Sequence, residues 1–282
     1  MDNTQYCMQL LKQGDFDRYI SLLFAPAKKR AGLAALFAFN HEIARIRNVV
    51  KEPLAGEVRL RWWADNIEKG SKEPTQNPVL DALLETISIY GLPEKALINA
   101  CEARIFDLYN DSFITIADFE GYCGETQSIL FKLGCQILDE FEVQSSDNAC
   151  GHGGVSAVLM QILRFLPMIT AEHQFYIPTE ILNAVGVSRE DITPDSNNIE
   201  QKSRVIAALT AFAFEHYTVF KTAQQKLAPS LRPVFLPLTL MPRYVRRTQK
   251  ADFIAFTKPF ELSHLQRQWS ILKTAITGKF SN

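Results

Sequence analysis

The chain has 282 residues, 47% of them hydrophobic, and a formal net charge of -1, which is length and apolar content enough for a substantial buried core. So even a charge balance excludes a general electrostatic pull toward nucleic acid or acidic lipid, and any partner has to be argued locally. Cys7, Cys101, Cys123, Cys135 and Cys150 lie far apart with no CxxC pair, which excludes a zinc ribbon and predicts buried, reduced thiols.

The opening MDNTQYCMQLLKQGDFD carries acids and no arginine-rich pattern, so it predicts no leader peptide and a cytoplasmic protein. With no long uninterrupted apolar run, no transmembrane helix is expected. After a short first helix, Pro26 sits near the start of a helix of about six turns. Leu36, Phe39, Ile43, Ile46 and Val50 recur as its buried stripe, and His41, Ala44, Arg45 and Asn48 share the other side. Arg59 to Ile67, RLRWWADNI, is a Trp-bearing amphipathic helix, and Ser71 to Pro78 is a loop. Asn77 to Pro93 is a helix stopped at Gly91.

Two further helices are expected over Glu94 to Leu108 and Ala117 to Leu138, with an intervening FITI run too short for a sheet. Asp107 reads as a solvated helix carboxylate. A loop containing Ser145 to Asn148 precedes GHGG at Gly151 to Gly154, which with no strand before it reads as a loop and helix start. Val155, Val158, Leu159, Ile162, Leu163 and Leu166 form the next buried stripe, which Pro167 ends or kinks. If the helix survives Pro167, a second row runs through Gln161, Phe165 and Ile169. A polar connector with one short helical piece leads to a long amphipathic helix from Ile199. A stretch broken by Pro233, Pro237 and Pro242 follows, and a final helix covers about Glu261 to Lys273. The pattern predicts an all-α fold, one domain over 1–282.

QILR at Gln161 to Arg164, followed by YIP at Tyr176 to Pro178, resembles the second signature of the squalene/phytoene synthase family, approximately NILRDxxxDxxxxRxYLP. Upstream, Ser21, Pro26, Arg30, Ala35, Leu36, Phe37, Ala38 and Phe39 match SxxxxxLPxxxRxAxxALYAFCRxxDDxxD. The Arg59 and Asn77 segments are similar to RLxWWRxxL and HPVLxALxxTxxxYGLP. The resemblance runs from Asp15 to about Ile271 and implies a single-domain isoprenoid synthase-like helical bundle around a central cavity. It also implies two aspartate motifs on facing helices that hold magnesium and allylic diphosphates. Those positions fall on Ala44, Arg45, Asn48, Phe165 and Ile169, and the arginine before the tyrosine falls on Gln174.

Alanine, phenylalanine and isoleucine offer magnesium no oxygen, and Arg45 opposes a cation by Coulomb repulsion. Neither a metal site, a cofactor nor a catalytic residue is therefore expected. Arg30, Arg45, Arg47 and Arg164 are candidates to grip phosphate directly, although a salt bridge such as Glu42 to Arg45 is the ordinary role of any one of them. Phe37, His41, Gln161, Phe165 and Tyr176 complete the candidate lining for an isoprenoid or phospholipid. Within the family the chain looks closest to a branch lacking these aspartates, which includes a mitochondrial complex I assembly factor whose FNxELA segment resembles Phe39 to Ala44. That implies a non-catalytic protein with a respiratory-complex subunit or assembly partner, peripheral on the inner membrane. The alternatives are an active prenyl transferase that uses magnesium through an atypical site, and a lipid-carrying module. Arg243, Arg246, Arg247 and Lys250 are a candidate membrane-surface patch, set against the default of a solvated charged face.

Overall fold

The computed structural model describes residues 2–71, 73–172, 174–193, 195–250 and 261–280. Among them the regular elements are helical, and the one β feature is an isolated parallel bridge between Ser112 and Phe175. Helix α1 (Asn3–Gly14) starts where the Asp2 carboxylate accepts from the Gln5 N–H, and α2 (Phe16–Leu22) where Asp15 accepts from Arg18. Helix α3 (Ala27–Ala44) follows Pro26, and after a break at Arg45 the chain continues as α4 (Ile46–Val49). The expected six-turn helix is therefore interrupted. Its burial also runs nearly all round from Gly32 to Asn40 rather than along one stripe, because α1 packs on it together with the later helices over Pro78–Tyr90 and Ile129–Leu138.

Helices α5 (Pro53–Lys69) and α6 (Pro78–Tyr90) each carry proline in the first turn and stop at Gly70 and Gly91, whose positive φ favours glycine. Helix α7 (Glu94–Ala103) tightens into a 3-10 turn over Arg104–Leu108. Helix α8 (Ile116–Cys123) and α9 (Ile129–Leu138) are joined by a π turn, Gly124–Ser128, that turns Thr126 and Gln127 inward. Then come α10 (Asp147–Ala171), α11 (Thr179–Ala184) and α12 (Ile199–Gln224). The proline-punctuated stretch forms α13 (Arg232–Phe235) and α14 (Met241–Thr248) among 3-10 turns, and α15 (His264–Thr277) closes the series.

Helix α10 departs from expectation at both ends. It begins at Asp147 and takes in the GHGG run, because Gly153 and Gly154 are close-packing positions rather than a loop. A Cβ on Gly154 would stand 2.0 Å from Ser128 Oγ and 2.6 Å from its backbone N. Nor does Pro167 end the helix, which runs on to Ala171. A proline inside a helix costs about 3 kcal/mol, but Leu159, Leu163 and Leu166 are all buried, each contributing about 1.5–3 kcal/mol. Packing therefore outweighs the break. By length and composition 143–171 does meet what a membrane span needs, contrary to expectation, yet 67% of its apolar window is buried within the fold. It is the central core helix, lying along α12. All five cysteines are buried and free, and burial pushes Cys7 and Cys101 up to about 12, so their thiols are inert at neutral pH.

Two glycines of α10 should respond oppositely to alanine. Helix propensity alone favours alanine by about 1 kcal/mol, and Gly151 has nothing within 4 Å of a new Cβ, so Gly151→Ala should stabilise by that amount. At Gly154 the added carbon meets Ser128 backbone, and overpacking should instead cost about 1–3 kcal/mol. Urea denaturation of the two variants gives the signs; an unchanged or raised midpoint for Gly154→Ala would contradict the close approach.

Candidate functional site: an arginine-rich cavity

A cavity of about 590 Å³ lies between the α3–α4 junction and α10, within the range of small-molecule sites. His41, Ala44, Arg45, Arg47 and Asn48 line one wall, and Gln161, Phe165, Met168 and Ile169 line the facing one. The fold thus brings together the positions that the resemblance assigns to the two aspartate motifs. Arg164 and Tyr176 join them. A Cβ on Gly14 would lie 2.3 Å from the His41 ring, so the glycine makes room for the imidazole. Burial lowers the His41 pKa, against the pull of Asp15 and Glu42. Arg45 pairs with Glu42 at 3.2 Å, as the spacing suggested.

Two candidates do not reach the cavity. Phe37 is buried in the core, with the Arg18 guanidinium 5.1 Å from its ring centre. Arg30 donates to the carbonyls of Ala25 and Leu23, both at 2.9 Å, and so closes the end of α2. Its fork is spent on backbone oxygen.

Asp107 is buried, not solvated, and it is the hub of the inner wall. Its carboxylate accepts from Arg104 at 3.0 Å, Tyr122 at 2.7 Å and Tyr176 at 2.9 Å. Its backbone carbonyl accepts from Gln174 at 3.2 Å. Burial pushes both tyrosines well above their ordinary pKa, so they stay protonated and donate. Burial works against the Arg104 charge, but Tyr122 and Asp107 outweigh it and its pKa is raised. The one trace of this hub in the sequence is the i, i+3 spacing of Arg104 and Asp107; the tyrosines arrive through tertiary structure.

Arginines dominate the rest. Arg18 donates to Gln127 at 2.7 Å and pairs with Asp15 at 3.2 Å. Arg267 donates to Asp17 at 2.8 Å. Burial raises the Asp17 pKa, and Arg267 opposes that rise. Arg164 lies between the rings of Tyr244 and Phe165, 4.8 and 5.1 Å from their centres, and pairs with Glu261 at 2.6 Å. Among the described residues Arg47 has no ion-pair partner. The buried Nε atoms of Arg47, Arg104 and Arg164, and Asn40 Oδ1, lack hydrogen-bond partners. Each such group costs about 1–3 kcal/mol. All four residues line the cavity.

The magnesium ions that the resemblance implies do not fit this donor set. Of the lining carboxylates, Asp15, Asp17 and Asp107 are each tied to an arginine, and Glu172 is exposed. Magnesium needs several hard oxygens in octahedral order, and among the described residues no three His, Cys, Asp or Glu side chains are grouped to share an ion. Six arginines against four carboxylates leave the lining net positive. At the proposed basic patch, Arg246 and Lys250 are exposed and Arg243 and Arg247 half-buried. Arg246 and Arg247 are each engaged with a neighbour rather than free.

Comparison with known proteins fits this geometry. "NADH dehydrogenase (ubiquinone) complex I, assembly factor 6" of Bos taurus is 27% identical over 253 residues, covering 89% of this chain and 75% of the relative. The assembly factor 6 homolog of Drosophila melanogaster is 27% identical over 258 residues, 89% and 77% of the two chains. In structure, a dehydrosqualene synthase in complex with ligand superimposes with a TM-score of 0.81 at 17% identity, covering 98% and 96%. A squalene synthase from Alicyclobacillus acidocaldarius gives 0.72 at 17%, covering 92% and 95%. The family model described as squalene/phytoene synthase matches residues 11–271, nearly the whole chain, and the protein belongs to that family.

Proposed function

We propose that this protein is a non-catalytic squalene/phytoene synthase relative that serves the assembly of NADH dehydrogenase, complex I. In this reading it works in the cytoplasm, peripheral to the inner membrane, and its cavity holds an anionic isoprenoid or phospholipid without metal. One observation carries the reading: the cavity's aspartates are neutralised by arginines, whereas its unsatisfied groups include guanidinium N–H donors. A wall of that kind attracts a phosphate and repels a divalent cation. Ionising an allylic diphosphate requires charge stabilised at the leaving group as it develops. The family resemblance assigns that task to magnesium ions; here the lining offers ground-state binding alone. The assembly role is carried over from relatives of that name across most of the chain.

Incubation with farnesyl diphosphate and magnesium should release no pyrophosphate above a protein-free blank. Clear turnover would replace this reading with that of an active prenyl transferase. Binding is tested separately by calorimetry with farnesyl monophosphate. Its affinity should be unchanged by EDTA and fall about 10-fold or more in Arg47→Ala, since a hydrogen bond to a charged group is worth about 1.5–3 kcal/mol. Loss of binding on chelation would restore the metal. Deleting the gene should lower the level of assembled NADH dehydrogenase on native gels; unchanged levels would remove the assembly role and leave the binding result standing.

A further inference from the structure

Helix α15 is built to stay folded while showing an oily face to solvent. Ser263 and Gln266 close a capping box at its start, and Gly278, at φ 69°, ends it. Its inner face holds Ser270, Ile271 and Thr274. Thr274 shares a 2.7 Å hydrogen bond with Thr239, and Arg267 donates to Asp17 at 2.8 Å. The helix is therefore anchored to the body on one side. At about 100° per residue, Leu265, Trp269, Leu272 and Ile276 fall within an arc of about 60° on the opposite side. They are 75, 61, 37 and 73% exposed. Single exposed apolar residues are ordinary, but a continuous four-residue stripe centred on tryptophan marks a binding face.

Charge selects the occupant. From Leu262 to Phe280 the sequence has no aspartate or glutamate, while Lys273 and Lys279 are exposed. Arg232 lies against Gly278 at the C-terminal end. Among the described residues, Asp17 is buried against Arg267, and Glu261, though exposed, is paired with Arg164. We propose that α15 docks the protein onto a bilayer bearing anionic headgroups, with Trp269 and its apolar neighbours entering the interface and the lysines meeting the phosphates. A second copy of the chain is the poorer occupant, because a two-fold contact through this stripe would set lysines against lysines with no acid on the helix to offset them. The inference rests on the membrane-peripheral reading above and is independent of what the cavity binds.

The test is co-sedimentation of the full chain with phosphatidylcholine vesicles, with and without about one-third phosphatidylglycerol, a content at which basic segments are attracted to the surface. The wild type should pellet with the anionic vesicles and be released by high salt. Leu265→Glu with Ile276→Glu should lower the bound fraction at least 5-fold, with circular dichroism and the melting curve unchanged because both side chains are solvent-facing. Leu265→Gln with Ile276→Gln, which adds no charge, should also weaken binding, and Lys273→Glu should weaken binding to the anionic vesicles alone. Failure to bind either vesicle would overturn the proposal, as would equal binding by wild type and the glutamate pair. So would light scattering that shows a wild-type dimer split by the glutamate pair, which would assign the stripe to self-association.

Discussion

The cavity depends on how closely α10 lies against the 124–128 turn. Gly154 has no side chain, and Ser128 occupies the place where one would be, its backbone N 2.6 Å from the missing carbon. That approach fixes the residue before it, Gln127, whose side-chain oxygen accepts from Arg18 at 2.7 Å. Arg18 in turn pairs with Asp15, which caps α2, and lies over Phe37 of α3. A run of contacts thus spaces the two helices that form the cavity walls. The π geometry of the turn serves the same end, because its wider loop buries both Thr126 and Gln127.

Given those walls, electrostatics decides what they can hold. In a region of low dielectric a buried carboxylate needs donors for its lone pairs. Asp107 has three, two of them tyrosines that burial keeps protonated. The Arg104–Asp107 pair is close to neutral as a unit, as are Arg267–Asp17 and Arg18–Asp15. What remains is the excess: Arg47 and the unspent N–H groups of Arg104 and Arg164. Tyr176 feels both Arg104 and Arg47, so the surplus charge converges on one region of the wall. A positive cleft of this sort is the complement of a phosphate, not of a cation.

Much of this was legible in the sequence, and the failures share a cause. Helical periodicity located the elements because each buries a stripe against neighbours, and the facing of Ala44 with Phe165 followed once the family pattern was laid on the chain. Pro167 misled because local propensity charges a proline its full cost, while Leu163 and Leu166 in the turn before it are held by tertiary packing. The GHGG run misled for the opposite reason: glycine signals a loop locally, but Gly153 and Gly154 are there for the side chains of Leu238, Phe220 and Ser128, all distant in sequence. Asp107 read as solvated because Tyr122 and Tyr176 reach it across 15 and 69 residues. Phe37 and Arg30 sit on the right helix and face away from the cavity, an orientation that a motif match does not encode.

That Ala44, Phe165 and Ile169 stand where the family resemblance assigns carboxylates also bears on stability. Two acidic motifs facing each other across a cavity raise each other's pKa and repel unless a cation lies between them. Apolar residues carry no such requirement, and Phe165 packs on the Arg164 guanidinium instead. The arginines beside them are engaged with carboxylates of their own. Arg164 holds Glu261, immediately before α15, and Arg267 on α15 holds Asp17; three of these four residues, all but Glu261, line the cavity. These two ion pairs seat α15 on the body beside the cavity. The oily outer face of that helix and the charged interior of the bundle are, in this way, two ends of one set of ion pairs.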